Sequence, residues 1–275
     1  MAKRRGRGPR TRIERDTMGE LRVPAAALYG AQTARAVENF PISGLVAHPA
    51  FVDATVRIKI AAARANARLG LLPRVKARAI EAAAREVLAG HHREQFVVDV
   101  YQAGAGTSHH MNVNEVLANR AAELLGKARG DRTAVDPNDD VNMAQSTNDV
   151  VPTAIRLAAL ELAPPLLAAL SDLAGTFEKK ARAWDRVVKS GRTHLMDATP
   201  IRLGQEVSGW AVAVRNAARR IRDVLPELSL VGLGGTAVGT GVNAHPRYAA
   251  LAARELERLT GIPLQPHPNP FYAMQ

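Results

Sequence analysis

"MAQSTNDVVPTAIRLAALELAPPLLAAL" occupies residues 143–170, and its two halves differ in character. Residues 145–149 are polar without a break: Gln145, Ser146, Thr147, Asn148 and Asp149. From Asn148 onward Ile155, Ala159, Leu162, Leu166, Leu170 and Phe177 recur on one helical stripe. A helix start needs one capping oxygen, from Ser, Thr, Asp or Asn. Four candidates in a row are a surplus. Hydroxyl and amide groups beside a helix N-terminus suit an anion, because unpaired N–H groups and the helix dipole both favour negative charge. Capping and turn formation are the plainer use of the same residues.

The same rhythm extends both ways along the chain. Leu203, Val207, Trp210, Val214, Ala217, Ile221 and Leu225 alternate steps of three and four, the signature of a bundle helix. Val52, Val56, Ile60, Ala63 and Ala67 share one face of a helix that Gly70 stops, and further helices fit 75–88, 112–125 and 246–261. Residues 12–24 read as a short hairpin around Gly19, and Pro24 is expected to open a helix. Pro164 and Pro165 are expected to kink or break the long helix. The fold class is therefore mainly α. Residues 1–12 read as a basic disordered tail, 13–145 as a mostly helical domain with a small β lead-in, and 146–275 as part of a helical bundle.

Composition excludes several functions. With no cysteine there are no disulfides, cysteine nucleophiles or thiolate metal sites. The tail holds six of the eleven surplus positive charges, so it reads as a solubilising segment and predicts no nucleic-acid partner. No uninterrupted apolar run reaches the roughly 20 residues of a membrane span. No targeting segment is evident, and a cytoplasmic location is the default expectation. The pairs His91-His92 and His109-His110 are chain neighbours with no carboxylate partner motif, so no metal and no cofactor is expected. "GLGGTA" imitates a dinucleotide fingerprint but lacks a preceding strand.

Four polar loops interrupt the helices, at 104–112, 136–149, 191–200 and 232–241. With their flanks they become recognisable. "RIERDTMGELRVPAAALYGAQTARAVENFPISG", "FVVDVYQAGAGTSHHMNVNEVLANRA", "PNDDVNMAQSTNDVVPTA", "GRTHLMDATPIRLGQEVSG" and "LGGTAVGTGVNAHP" resemble the class II fumarase and aspartate ammonia-lyase family, in the family's order and over nearly the whole chain from Arg12. The resemblance implies a fumarase/aspartase-like fold, a small C4-dicarboxylate substrate, and a homotetramer whose active sites are shared between subunits.

It also implies roles. A base takes the proton beside one carboxylate, ammonia or water leaves the neighbouring carbon, and fumarate forms. Thr107, Ser146 and Thr147 match the donors to the doubly negative carboxylate that develops. Ser108 lies in the same "GAGTS" segment. Asn148 and the catalytic residue His194 match the groups at the leaving amine or hydroxyl, with Thr193 beside the substrate. Asp136, Asn138 and Asp139 match a secondary anion site, although the fumarases tend to carry histidine where Asp136 stands. His110 stands where the family usually has asparagine. The family's serine base lies in a mobile loop that these 275 residues do not contain, so the chain alone is expected to lack turnover and to dissolve poorly. "FVVDVYQAGAGTS" and "MAQSTND" lean toward aspartate ammonia-lyase, while "RTHLMDATP" and "GGTAVGTG" are at home in fumarases. Fumarase is the first alternative and a non-catalytic homologue the second.

Overall fold

The structure is a computed structural model that describes residues 10–104 and 106–274. The chain divides into two compact units, one running to Ala158 and resuming at Ser229, the other Ala159–Leu228. The sequence reading instead set its boundary after residue 145.

The first unit opens with an antiparallel hairpin, β1 (Thr11–Asp16) and β2 (Gly19–Pro24), pairing Thr11 with Pro24 and Asp16 with Gly19. Arg12 belongs to this hairpin, not to a tail: its guanidinium donates to Glu14 at 2.6 Å and to the carbonyls of Ala27 and Tyr29 at 2.6 and 2.9 Å. The helix expected from Pro24 starts later, as α1 (Ala31–Asn39). Residues 25–30 are held out of it because Arg12 takes their carbonyls and Gln95 accepts from the Leu28 N–H at 2.6 Å. The buried Glu115 carboxylate then caps α1, accepting from the N–H groups of Gly30, Gln32 and Thr33.

Helices α2 (Pro49–Arg68), α3 (Arg74–Leu88) and α4 (Thr107–Leu124) build the core. Val56, Ile60, Ile80, Val87, Val116 and Leu117 are fully or almost fully buried in one cluster, each worth roughly 1.5–3 kcal/mol of transfer free energy. The apolar face read from the sequence of α2 is the face that packs here. Helix α4 begins one turn earlier than its sequence suggested, because Gly106, with φ +85°, breaks the chain just ahead of Thr107.

Helix α5 (Thr147–Ala183) is continuous through Pro164 and Pro165. Two missing N–H donors in 37 residues leave the turns on either side to hold the axis, at an interior cost of about 3 kcal/mol per proline. Continuity changes the membrane reading: among the described residues α5 alone is long and apolar enough to cross a bilayer, by length and composition. A bundle helix has the same properties.

The second unit takes α5 from Ala159, then a hairpin of β3 (Val188–Thr193) and β4 (Met196–Arg202), then α6 (Leu203–Leu228). The hairpin replaces the expected 191–200 loop. Within this unit Phe177 meets Trp210 edge to face at 5.9 Å, while Leu162, Leu166, Leu173 and Val224 stay exposed. The first unit closes with β5 (Leu230–Val231), α7 (Tyr248–Thr260) and β6 (Gln265–Pro266), and Gly261 ends α7 at φ +71°.

Candidate active site

The polar row resolves into two jobs. Ser146 and Asp149 form a reciprocal cap at the start of α5: the Ser146 hydroxyl accepts from the Asn148 N–H at 3.3 Å, and Asp149 Oδ1 accepts from the Ser146 N–H at 2.9 Å. Asp149 also fastens the glycine-rich loop, its Oδ2 accepting from the N–H groups of Gly234 at 2.9 Å and Thr236 at 3.0 Å. Burial pushes this carboxyl up to about 6, against the opposing pull of the three N–H groups and Lys59. Asn148 donates to the Ala237 carbonyl at 2.7 Å, pinning the same loop from outside.

Thr147 is held differently. Its hydroxyl lies 2.9 Å from His110 Nδ1, and His110 Nε2 lies 2.5 Å from Lys59 Nζ. Lys59 also donates to Gln145 Oε1 at 2.9 Å and Asn142 Oδ1 at 3.1 Å. Both Lys59 and His110 are buried, and desolvation drives both well below their ordinary pKa values, with Asp149 opposing the shift at Lys59. The geometry fixes what each state does. As an ammonium, Lys59 donates to His110 Nε2, His110 donates from Nδ1 to Thr147, and the threonine hydrogen is free for a ligand. As a neutral amine, Lys59 accepts from His110, and the threonine hydrogen is spent on His110. A dianion nearby favours the ammonium form.

The N-termini of α4 and α5 meet at this point. A Cβ on Gly106 would sit 3.2 Å from Val151, so only glycine allows this approach at φ +85°. A cleft of about 520 Å³ opens there, lined by Gln102, Gly104, Gly106, Thr147, Asn148 and Pro152 among others. Thr107 stands exposed at the head of α4, with Ser108 half-buried beside it. Ser146 faces a second cleft, about 480 Å³, together with Asn138 and Asp139. There the Asp136 carboxylate accepts from the N–H groups of Asn138 at 2.7 Å and Asp139 at 2.9 Å, and Arg132 pairs with it. The amides that would greet an anion at that turn already hold one.

Thr193 and His194 lie in the second unit, at the β3–β4 tip. Thr193 pairs with Met196, leaving His194 and Leu195 as a two-residue turn with φ +48° and +63°. Such turns favour Asn-Gly, so a histidine and a leucine (94% exposed) here are strained, as residues at functional sites often are. Sequence reading missed Lys59 and Gly106 as site-building residues, and it missed the hold of Asp149 on the glycine-rich loop. A lone lysine inside the apolar run "TVRIKIAAA" was the available signal for the first.

Comparisons with known proteins bear on the fold and the family. A family model described as lyase matches residues 19–275. The fumarate hydratase class II of Halobacterium salinarum is 53% identical over 95% of this chain and 56% of its own length. A Brucella melitensis structure titled fumarate lyase:delta crystallin, bound to cobalt, superposes with TM-score 0.90 at 49% identity, covering 96% of this chain and 58% of that one. The class II fumarase of Schistosoma mansoni gives 0.88 at 37% identity, covering 96% and 59%. The chain thus spans somewhat over half the length of the relatives it matches. None of the three is named an ammonia-lyase, so the leaning toward aspartate drawn from "FVVDVYQAGAGTS" and "MAQSTND" is not supported. Fold, motif order and family match agree: the chain belongs to this lyase family, within the fumarase/aspartase superfamily.

Proposed function

We propose that the protein carrying this chain is a class II fumarate hydratase, interconverting malate and fumarate. The observation that carries the reading is Thr147: a hydroxyl at the N-terminus of α5, held by buried His110 and Lys59, lining a cleft beside Asn148. Relatives near half identity, named fumarate hydratase, favour water over ammonia as the leaving group.

In this reading one malate carboxylate lies at the α5 N-terminus. As a base removes the neighbouring proton, charge accumulates on that carboxylate, and Thr147 donates to it from a fixed position. Hydroxide leaves the adjacent carbon, taking a proton as water, with Asn148 and His194 serving that end. The resemblance assigns the base to a serine loop outside these residues. Thr107, Ser108, Ser146 and Thr193 complete the substrate contacts, and the secondary anion site is assigned to Asn138 and Asp139, with Asp136 shaping their turn. The exposed apolar residues of α5 and α6 are covered by other copies in a homotetramer rather than by lipid. The N-terminal segment takes no nucleic acid, and the location is cytoplasmic.

The test is fumarate hydration followed by loss of fumarate absorbance, with Asn148→Ala beside the wild type. The proposal expects a fall of at least about 100-fold in kcat/KM for the variant. Equal rates would remove Asn148 from the reaction.

A further inference from the structure

A third cavity, about 510 Å³, lies in the first unit between α2, α3 and α7, and shares no lining residue with the clefts at Thr147 or Ser146. Five arginines line it: Arg64 and Arg68 from α2, Arg74 and Arg78 from α3, and Arg258 from α7. Two carboxylates face them. Five guanidiniums against two carboxylates leave three positive charges in one cavity.

The carboxylates are already committed to shaping the site. Glu255, 2% exposed, accepts from Arg68 at 2.8 Å, Arg258 at 2.7 Å and Arg64 at 3.4 Å. Glu81 grips Arg64 with both oxygens, at 2.6 and 3.0 Å. Arg64 is thereby fixed, and three helices are joined through it. Arg74 and Arg78 differ: both are exposed and, among the described residues, neither has a carboxylate partner. Arg74 is also the first residue of α3, whose N-cap is Pro73 and whose first turn has neither a side-chain cap nor an acid. Unpaired backbone N–H groups therefore border the arginines.

We propose that this cavity binds a polyphosphate. A structural role would pair each guanidinium with a carboxylate, and two here are left over beside an open helix N-terminus. Guanidinium forks match phosphate oxygens bidentately, and a surplus of three charges matches a di- or triphosphate better than a single dicarboxylate. The chemistry is shared by inorganic polyphosphate and by the phosphate tail of a nucleotide.

Titration calorimetry of the whole protein with tripolyphosphate, ATP and citrate tests this. Saturable binding of tripolyphosphate is expected, stronger than that of citrate and weakening as salt rises. ATP matching tripolyphosphate shows that phosphates alone are read, and tighter ATP binding shows that the nucleoside is held as well. Arg74→Ala/Arg78→Ala removes exposed side chains with no carboxylate partner among the described residues, so the melt should not move while affinity falls roughly 30-fold or more. No saturable binding, citrate binding as tightly as tripolyphosphate, or unchanged affinity in the double variant overturns the proposal. So does loss of binding on Thr147→Val, which would place the anion in the other cleft.

Discussion

Replacing Thr147 by valine keeps the shape of the side chain and removes only the hydroxyl, which has two duties. Inward it partners His110 Nδ1 at 2.9 Å, and the His110 ring is 1% exposed, so its nitrogen finds no water in exchange. Leaving one buried polar atom unpaired costs roughly 1–3 kcal/mol of stability. Outward Thr147 lines the cleft, and in the proposed reaction one preorganised donor to a developing oxyanion lowers the barrier by about 3–4 kcal/mol, a factor of roughly 100–1,000 in kcat. A donor used mainly in the transition state lowers kcat more than it raises KM. Thr147→Ser keeps the oxygen and should remain within about tenfold of the wild type. The assay is initial-rate fumarate formation from malate, with thermal unfolding in parallel. The reasoning fails if the valine variant keeps its kcat, or if the serine variant falls as far as the valine variant.

Other outcomes follow from the same geometry. Asp149, raised by burial to about 6 from an ordinary 3.8, holds its proton more tightly when folded, so its contribution to stability is complete below 3.8 and is lost as pH rises through 6. Asp149→Asn cannot titrate, so its unfolding free energy should gain about 3 kcal/mol on the wild type between pH 3.5 and 7.5, and parallel profiles would refute the burial argument. Gly106→Ala puts a Cβ 3.2 Å from Val151 at φ +85° and should cost roughly 1–3 kcal/mol in denaturant unfolding. Replacing His194-Leu195 by Asn-Gly relieves a turn with two positive φ angles, so stability should rise by about 1–2 kcal/mol while activity is lost. A variant that is no more stable, or is still active, contradicts that account.

Much of the fold was legible because α2, α3, α6 and α7 carry their apolar residues at three- and four-residue steps and stop at or near a glycine or a loop. What was not legible depended on distant partners. The alanine-rich 25–30 segment has helix propensity, yet Arg12 and Gln95 hold it in turns, a tertiary override that no local pattern announces. The β3–β4 hairpin escaped because its turn is His-Leu rather than Asn-Gly and its strands do not alternate apolar with polar. Pro164 and Pro165 looked like a break because each removes a bond, but in a long helix the flanking turns keep one axis. At the candidate site the motif residues were readable, whereas the burial of Lys59 was not: an isolated lysine reads as solvated until Asn142, Gln145 and His110 are seen around it. The polar row itself mixed two roles that only coordinates separate, a cap made by Ser146 and Asp149 and a pair, Thr147 and Asn148, that lines the cleft beside it.

The most direct test of the central claim is to express the full reading frame that carries this chain and offer it L-malate and L-aspartate in parallel, following fumarate absorbance. The account predicts fumarate from malate, abolished or nearly so in the Thr147→Val protein, and none from aspartate. Fumarate from aspartate with none from malate would contradict it.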